Sequence, residues 1–182
     1  MAKELHIVGF RVGQEVFGVP ISLVHEIVRV PEITSVPDAP SYVQGVINLR
    51  GKIVSVVDLR LRFGEKDIKT HKKNRILVTE FEGKLVGLIV DSASEVLKIP
   101  ENDVELPPVF DQGEINYVTG VGKLNGRLII LIDLNKILGR GELRRLGELE
   151  PSDAVMATLL SQPALETKTG NNGHTDNSNP NQ

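Results

Sequence analysis

The sequence predicts an all-β fold of two packed β-barrels, and three observations carry that prediction. The first is an internal repeat. Gly45, Val46, Leu49, Gly51, Asp58, Leu59 and Gly64 recur as Gly120, Val121, Leu124, Gly126, Asp133, Leu134 and Gly139, all at an offset of 75 (120 − 45). Upstream, Gly18, Glu26, Pro31 and Glu32 recur as Gly87, Glu95, Pro100 and Glu101, at an offset of 69 (87 − 18). The second is a succession of short apolar runs cut by Gly and Pro, about five per copy, which favours small barrels or a sandwich. The third is size: a unit of roughly 65 residues is marginal in core size, so the two copies should pack on each other.

The elements follow in order. Leu5 to Phe10 and Val16 to Pro20 flank the turn Val12-Gly13-Gln14-Glu15 and form a hairpin. Ile21, Val24, Ile27 and Val28 fall at helical spacing, which predicts one or two helical turns over Ile21 to Val28. Val28 to Pro31 returns to an extended form, because proline biases its predecessor away from the helical region. Tyr42 to Leu49 and Lys52 to Val57 are strands around the Asn48-Leu49-Arg50-Gly51 turn. Asp58 caps a short helix that Gly64 stops. Arg75 to Phe81 and Lys84 to Val90 form a hairpin about Glu82-Gly83. Asp91 to Glu95 is expected to nucleate a helical turn, Val96 to Pro100 is extended, and Glu101 to Asn116 is a long loop. Tyr117 to Gly139 then repeats strand, turn, strand and helix, with Asp133 as cap and Gly139 as stop. Arg140 to Glu150 is rich in helix formers, and the Asn-rich Thr167 to Gln182 is too polar to offset the cost of ordering.

Bulk composition excludes several classes. A net charge of −3 over 182 residues and 4% aromatics without Trp leave neither the electrostatic footprint nor the stacking platform of a nucleic-acid binder. There is no cysteine, so disulfide and thiolate chemistry are absent. Met1 to His6 has no apolar signal region and no run approaches a membrane span, so the expectation is a soluble, cytoplasmic chain.

Catalytic patterns are missing as well. His6, His25, His71 and His174 share no ligand spacing, and His25 reads as a partly exposed structural residue. Gly120-Val121-Gly122 begins like a dinucleotide loop, but the third glycine is delayed to Gly126 and a strand follows instead of a helix. Asp58 and Asp133 are read as equivalent helix caps, which makes an acid–base pair unnecessary. No metal, cofactor or enzymatic activity is expected. Gly51, Asp58, Gly64, Gly126, Asp133 and Gly139 are therefore scaffold positions. Arg50 is different, because the second copy carries Asn125 in its place. Two readings stand for it: a surface pair with a carboxylate such as Glu26, or a donor fork kept for a partner. Glu26 is itself read as a solvated helix-face residue, and the charged run Lys66 to Lys73 as a solvated loop.

The stretches Phe17-Gly18-Val19-Pro20, Val24-His25-Glu26-Ile27, Val36-Pro37 and Gly45-Val46-Ile47-Asn48-Leu49-Arg50-Gly51 resemble the signature of CheW-like chemotaxis domains. Val56-Val57-Asp58-Leu59-Arg60 and Gly87-Leu88-Ile89-Val90-Asp91 continue the resemblance, which covers residues 5 to 140. It implies two five-stranded SH3-like barrels with a few short helices. The implied domain spans 4–147, with a first barrel at 15–66, a second at 75–139, and an N-terminal strand and C-terminal helix packed on them. Residues 151–182 would be a largely disordered tail. The implied function is a non-enzymatic adaptor that links the cytoplasmic tips of chemoreceptors to the histidine kinase CheA through its regulatory domain. Such an adaptor supports array assembly and reaches the membrane only through receptors. By the same resemblance Val24, Glu26, Gly45, Asn48 and Arg50 belong to the receptor side, in a groove that takes a helical hairpin. The kinase side is suggested only as an apolar edge of the first barrel. Alternatives are a CheW-like adaptor of another pathway such as surface motility, an OB-like nucleic-acid module, or a small hydrolase using Asp58 or Asp133.

Overall fold

The computed structural model describes residues 3–106 and 115–139, apart from the side chains of Ser94 and Glu95. The first copy supplies β1 (Glu4–Val12), β2 (Glu15–Pro20), β3 (Val24–Arg29), β4 (Val43–Leu49), β5 (Lys52–Asp58) and the short helix α1 (Leu59–Arg62). The second supplies β6 (Arg75–Phe81), β7 (Lys84–Val90), β8 (Ser92–Pro100), β9 (Val104–Glu105), β10 (Val118–Leu124), β11 (Arg127–Ile132) and α2 (Leu134–Leu138). Single 3-10 turns at Ile21–Leu23 and Glu101–Asp103 complete the described elements.

The strands form two SH3-like barrels, with sheet orders β8-β1-β2-β11-β10-β9 and β3-β6-β7-β5-β4. These orders correct the expected division at 15–66 and 75–139. Each barrel takes three or more strands from one copy and a hairpin from the other. The β1–β2 hairpin joins β11 by a parallel pairing of Phe17 with Ile130, and the β6–β7 hairpin joins β5 by a parallel pairing of Val56 with Gly87. The two joints are equivalent under the repeat. Gly18 and Gly87 both sit where a Cβ would collide with an isoleucine of the neighbouring strand, Ile7 at 2.5 Å and Ile76 at 2.7 Å. A sequence repeat reveals the strands but not which copy's sheet each hairpin completes.

Two further expectations change. Ile21 to Val28 holds one 3-10 turn and then strand β3, not a helix, so Glu26 lies on a strand. The β-branched Val24, Ile27 and Val28 lose rotamer freedom in a helix, and β6 offers them a ladder from Val24–Thr79 to Arg29–Arg75. A bulge at His25 disguises the two-residue period and mimics helical spacing. Asp91 to Glu95 is likewise extended, because Ser92 and Ala93 pair with Arg11 and Phe10 of β1. The loop expected at 101–116 contains strand β9 and the Glu101–Asp103 turn. The expected terminal helix and tail lie outside the described residues.

Three apolar clusters follow from strands buried on both faces. Ile47, Leu49, Val54, Val56, Ile76, Val78 and Ile89 fill one barrel. Ile7, Ile99, Ile129 and Leu131 fill the other. The alternate residues of the same strands, among them Val8, Val57, Leu77, Leu88 and Ile132, meet between the barrels with Leu59, Leu134 and Ile137. A stack of Phe10, Phe17, Phe63 and Tyr117, with ring centroids 5.9, 4.9 and 5.6 Å apart, runs through this shared layer. At roughly 1.5–3 kcal/mol per buried large aliphatic side chain, the layer between the barrels is a principal source of stability.

Candidate partner-binding site

Arg50 and Gly51 form the two-residue loop between β4 and β5, with φ of +51° and +81°. Positive φ at both positions is the type I′ geometry that matches the twist of a hairpin and favours Asn-Gly. Asn125-Gly126 makes the same turn in the second copy, at +51° and +76°. Arg50 therefore occupies a left-handed position that suits asparagine better, at a cost of about 1 kcal/mol. Asn48 offsets part of this cost, since its Oδ1 accepts the Gly51 N–H at 2.8 Å and closes the loop. The second copy has Lys123 at that position.

From this turn the Arg50 Nη2 donates to Glu26 Oε2 of β3 at 2.9 Å. The Arg50 side chain is 59% exposed and Glu26 22%, so one face of the guanidinium stays open to solvent. The surface-pair reading of Arg50 is thus present in the geometry, and a donor fork remains available beside it. An ion pair this exposed contributes about 0–1 kcal/mol. Beside it, His25 Nε2 and Glu80 Oε2 pair between β3 and β6.

The five residues assigned to the receptor side do not all reach the surface. Arg50, Asn48 and Glu26 come together at the β4–β5 turn. Val24 lies two residues before Glu26 and is half-buried against the layer between the barrels. Gly45 is buried, at φ +139°, and a Cβ there would stand 2.0 Å from the Thr34 carbonyl oxygen. That close approach carries the Thr34–Val46 bridge, with N–H to oxygen distances of 2.9 and 3.0 Å in the two directions. Gly45 positions the strand that holds the turn.

The expected caps are present, with a difference between them. Asp133 Oδ1 accepts from Asn135 N at 2.9 Å and starts α2, as a plain cap does. Asp58 caps α1 through Arg60 N at 3.0 Å and also holds the buried Arg60 side chain, Nε to Oδ1 at 2.9 Å and Nη2 to Oδ2 at 2.8 Å. Arg60 Nη1 continues to Asp91 at 3.4 Å and to the Lys69 carbonyl at 3.2 Å, while the other Asp91 oxygen accepts the Gly13 N–H at 2.7 Å. The hydrogen bonds that Arg60 donates to Asp58 lead the influences that raise the Arg60 pKa, over the opposing effect of burial. This network ties the β1–β2 turn, α1 and the start of β8 together. The Asp-x-Arg spacing from 58 to 60, absent from the second copy where Asn135 stands, was the available signal for it. Asp133 lines a cavity of about 390 Å³ with His6, Pro20, Leu23, Thr119 and Asn135, and Asp58 is not among its walls. Among the described residues the two carboxylates line no common cavity.

The CheW-like domain model matches residues 6–142. The chain belongs to the CheW-like family. The CheW-like chain is 36% identical over 134 residues to the chemotaxis protein CheW of Helicobacter pylori, covering 74% of this chain and 81% of that protein. It is 31% identical over 132 residues to protein FrzA of Myxococcus xanthus, with 71% and 82% covered. The solved structure of the scaffolding protein TtCheW from Thermoanaerobacter tengcongensis superposes with a TM-score of 0.69 at 38% identity, covering 78% of this chain and 96% of that one. The family is that of the CheW chemotaxis coupling proteins. Among the described residues no helix is long and apolar enough to cross a membrane.

Proposed function

We propose that this chain is a non-enzymatic chemotaxis adaptor that couples the cytoplasmic tip of chemoreceptors to the histidine kinase CheA, and that Arg50 touches the receptor. The observation that supports the Arg50 assignment is its turn. The second copy builds the same hairpin with Asn125, which suits a left-handed position, while the first retains a strained arginine whose guanidinium is only partly engaged by Glu26. Strain kept where a better residue is available is a mark of a functional position. Glu26 and Asn48 then serve to orient Arg50, and Val24 and Gly45 hold the strands on which that group stands. Binding of this kind needs only modest single contacts when a receptor array supplies avidity.

The test is co-sedimentation of the purified chain with receptor-bearing membranes and CheA. The wild-type chain is expected in the pellet only with receptor or kinase present, and failure with both removes the adaptor reading. Arg50→Ala is expected to keep its fold and lose receptor coupling. Unchanged coupling would return Arg50 to the role of a surface ion pair. FrzA supports a second reading, an adaptor of a related receptor–kinase pathway, which pairing with receptors from that pathway alone would favour.

A further inference from the structure

The repeat places one more feature twice on the surface. Ile27 of β3 and Val96 of β8 are related by the offset of 69 (96 − 27), and both are exposed, at 38% and 57%. Their cross-strand neighbours, Leu77 and Val8, are equivalent by the same offset and buried in the layer between the barrels. Each apolar residue is therefore the outer lip of that layer. Two residues further along, the pairs are again equivalent: Arg29 opposite Arg75 on β3–β6, and Lys98 opposite His6 on β8–β1. Like charges directly opposite on a sheet destabilise it. On β3–β6 the pair is fully cationic. Arg75 is held in place by the carbonyls of Lys72 and Asn74, both at 2.8 Å, and Arg29 reaches no carboxylate among the described residues. Exposed Lys72 and Lys73 extend the positive end. Glu80, which pairs with His25, alternates with Leu77 along β6 and so lies on the other face of the sheet.

We infer that the β3–β6 strip of Ile27, Arg29 and Arg75 is a docking surface for an acidic amphipathic segment of a partner protein. The apolar face of the segment would rest on Ile27, and its carboxylates would pair with the two arginines. From His25 to Arg29 the strip runs about 13 Å at roughly 3.3 Å per residue, which two to three helical turns would cover. Its charge is of one sign, since Arg29, Arg75 and the neighbouring Lys72 and Lys73 are all cationic, so its complement is an acidic segment. Ile27 and Arg29 stand two residues apart on one face, about 7 Å, a spacing that a helix with placed apolar and acidic side chains matches and a uniformly anionic membrane does not select. The strip is independent of the Arg50 turn, and Glu26, which pairs with Arg50, alternates with Ile27 and lies on the opposite face of β3.

The test is a titration of the full, nitrogen-15-labelled chain with a 14-residue synthetic helix. Its leucines stand at i, i+3, i+4 and i+7 with glutamate at the remaining outer positions, and a twin carries lysine in place of glutamate. The acidic peptide is expected to shift the amides of residues 25–29 and 75–77 saturably. Arg29→Glu should raise Kd at least tenfold, Arg75→Gln several-fold, and Arg50→Ala not at all. Arg29→Glu should keep or raise the melting temperature, since it removes a like-charge contact. Equal binding by Arg29→Glu, equal binding by the lysine twin, or shifts confined to other surfaces would overturn the assignment. So would Arg29-dependent binding to phosphatidylglycerol vesicles with no response to the acidic peptide.

Discussion

Arg50 and Gly45 are both receptor-side residues by family resemblance, yet the structure gives them opposite energetics. Arg50 pays a left-handed backbone cost for an exposed ion pair of small value. Replacing it with the residue its own repeat uses, Arg50→Asn, is expected to leave stability unchanged or raise it by up to about 1 kcal/mol. The same change should abolish receptor coupling. Urea unfolding and co-sedimentation on one preparation separate the two effects, and a clear loss of stability would contradict the turn argument. Gly45→Ala should do the reverse. Its Cβ would sit against the Thr34 carbonyl at a positive φ, so we expect a loss of roughly 3 kcal/mol or more, with any coupling defect following from unfolding. A Gly45→Ala protein with wild-type unfolding but no coupling would make Gly45 a contact residue instead.

At the scale of elements, the two helix caps are alike in sequence and unlike in consequence. Asp133 starts α2 and holds no other side chain among the described contacts, so Asp133→Ala should cost about 1 kcal/mol. Arg60→Met leaves Asp58, 3% exposed, without its ion partner, and should cost about 3–5 kcal/mol. Thermal unfolding of both variants checks the contrast, and similar losses would reduce the network to an ordinary cap. Much of this level was legible from the chain. The hairpins at Glu82-Gly83 and Arg50-Gly51, both caps and the short helices follow from turn and cap chemistry that acts within a few residues. What was not legible depends on distant partners. Strand β3 looked helical because a bulge hid its period, and its identity is decided by β6. Asp58 looked like a cap alone because Arg60, Asp91 and Gly13 meet only in the folded chain. For the candidate site, the Arg50–Glu26 pair was a named alternative in the sequence. Gly45's burial and the second apolar lip at Ile27 were not, since both depend on which strands become neighbours.

The whole molecule is organised by exchange between its copies, and that arrangement has a consequence for folding. Each barrel closes through a hairpin drawn from the other half of the sequence: β1–β2 beside β11, and β6–β7 beside β5. Residues 1–70 alone therefore leave β3 and β5 without β6 and β7, and leave the β1–β2 hairpin with no sheet to join. Both edges would be long and apolar, and the shared layer that holds Leu59, Leu134 and the aromatic stack would be open to water. A chain whose barrels followed the sequence halves would instead survive the cut as two small folded units. We expect residues 1–70 and 71–182, expressed separately, to lack dispersed amide spectra and cooperative unfolding. Mixed together, they should regain both at one-to-one stoichiometry, because every pairing that closes the barrels becomes available again. Independent, monomeric folding of either half would show that the exchanged hairpins are dispensable. Recovery only on mixing would place the stability of this scaffold in the seam that joins its two copies, the same seam whose outer lips carry Ile27 and Val96.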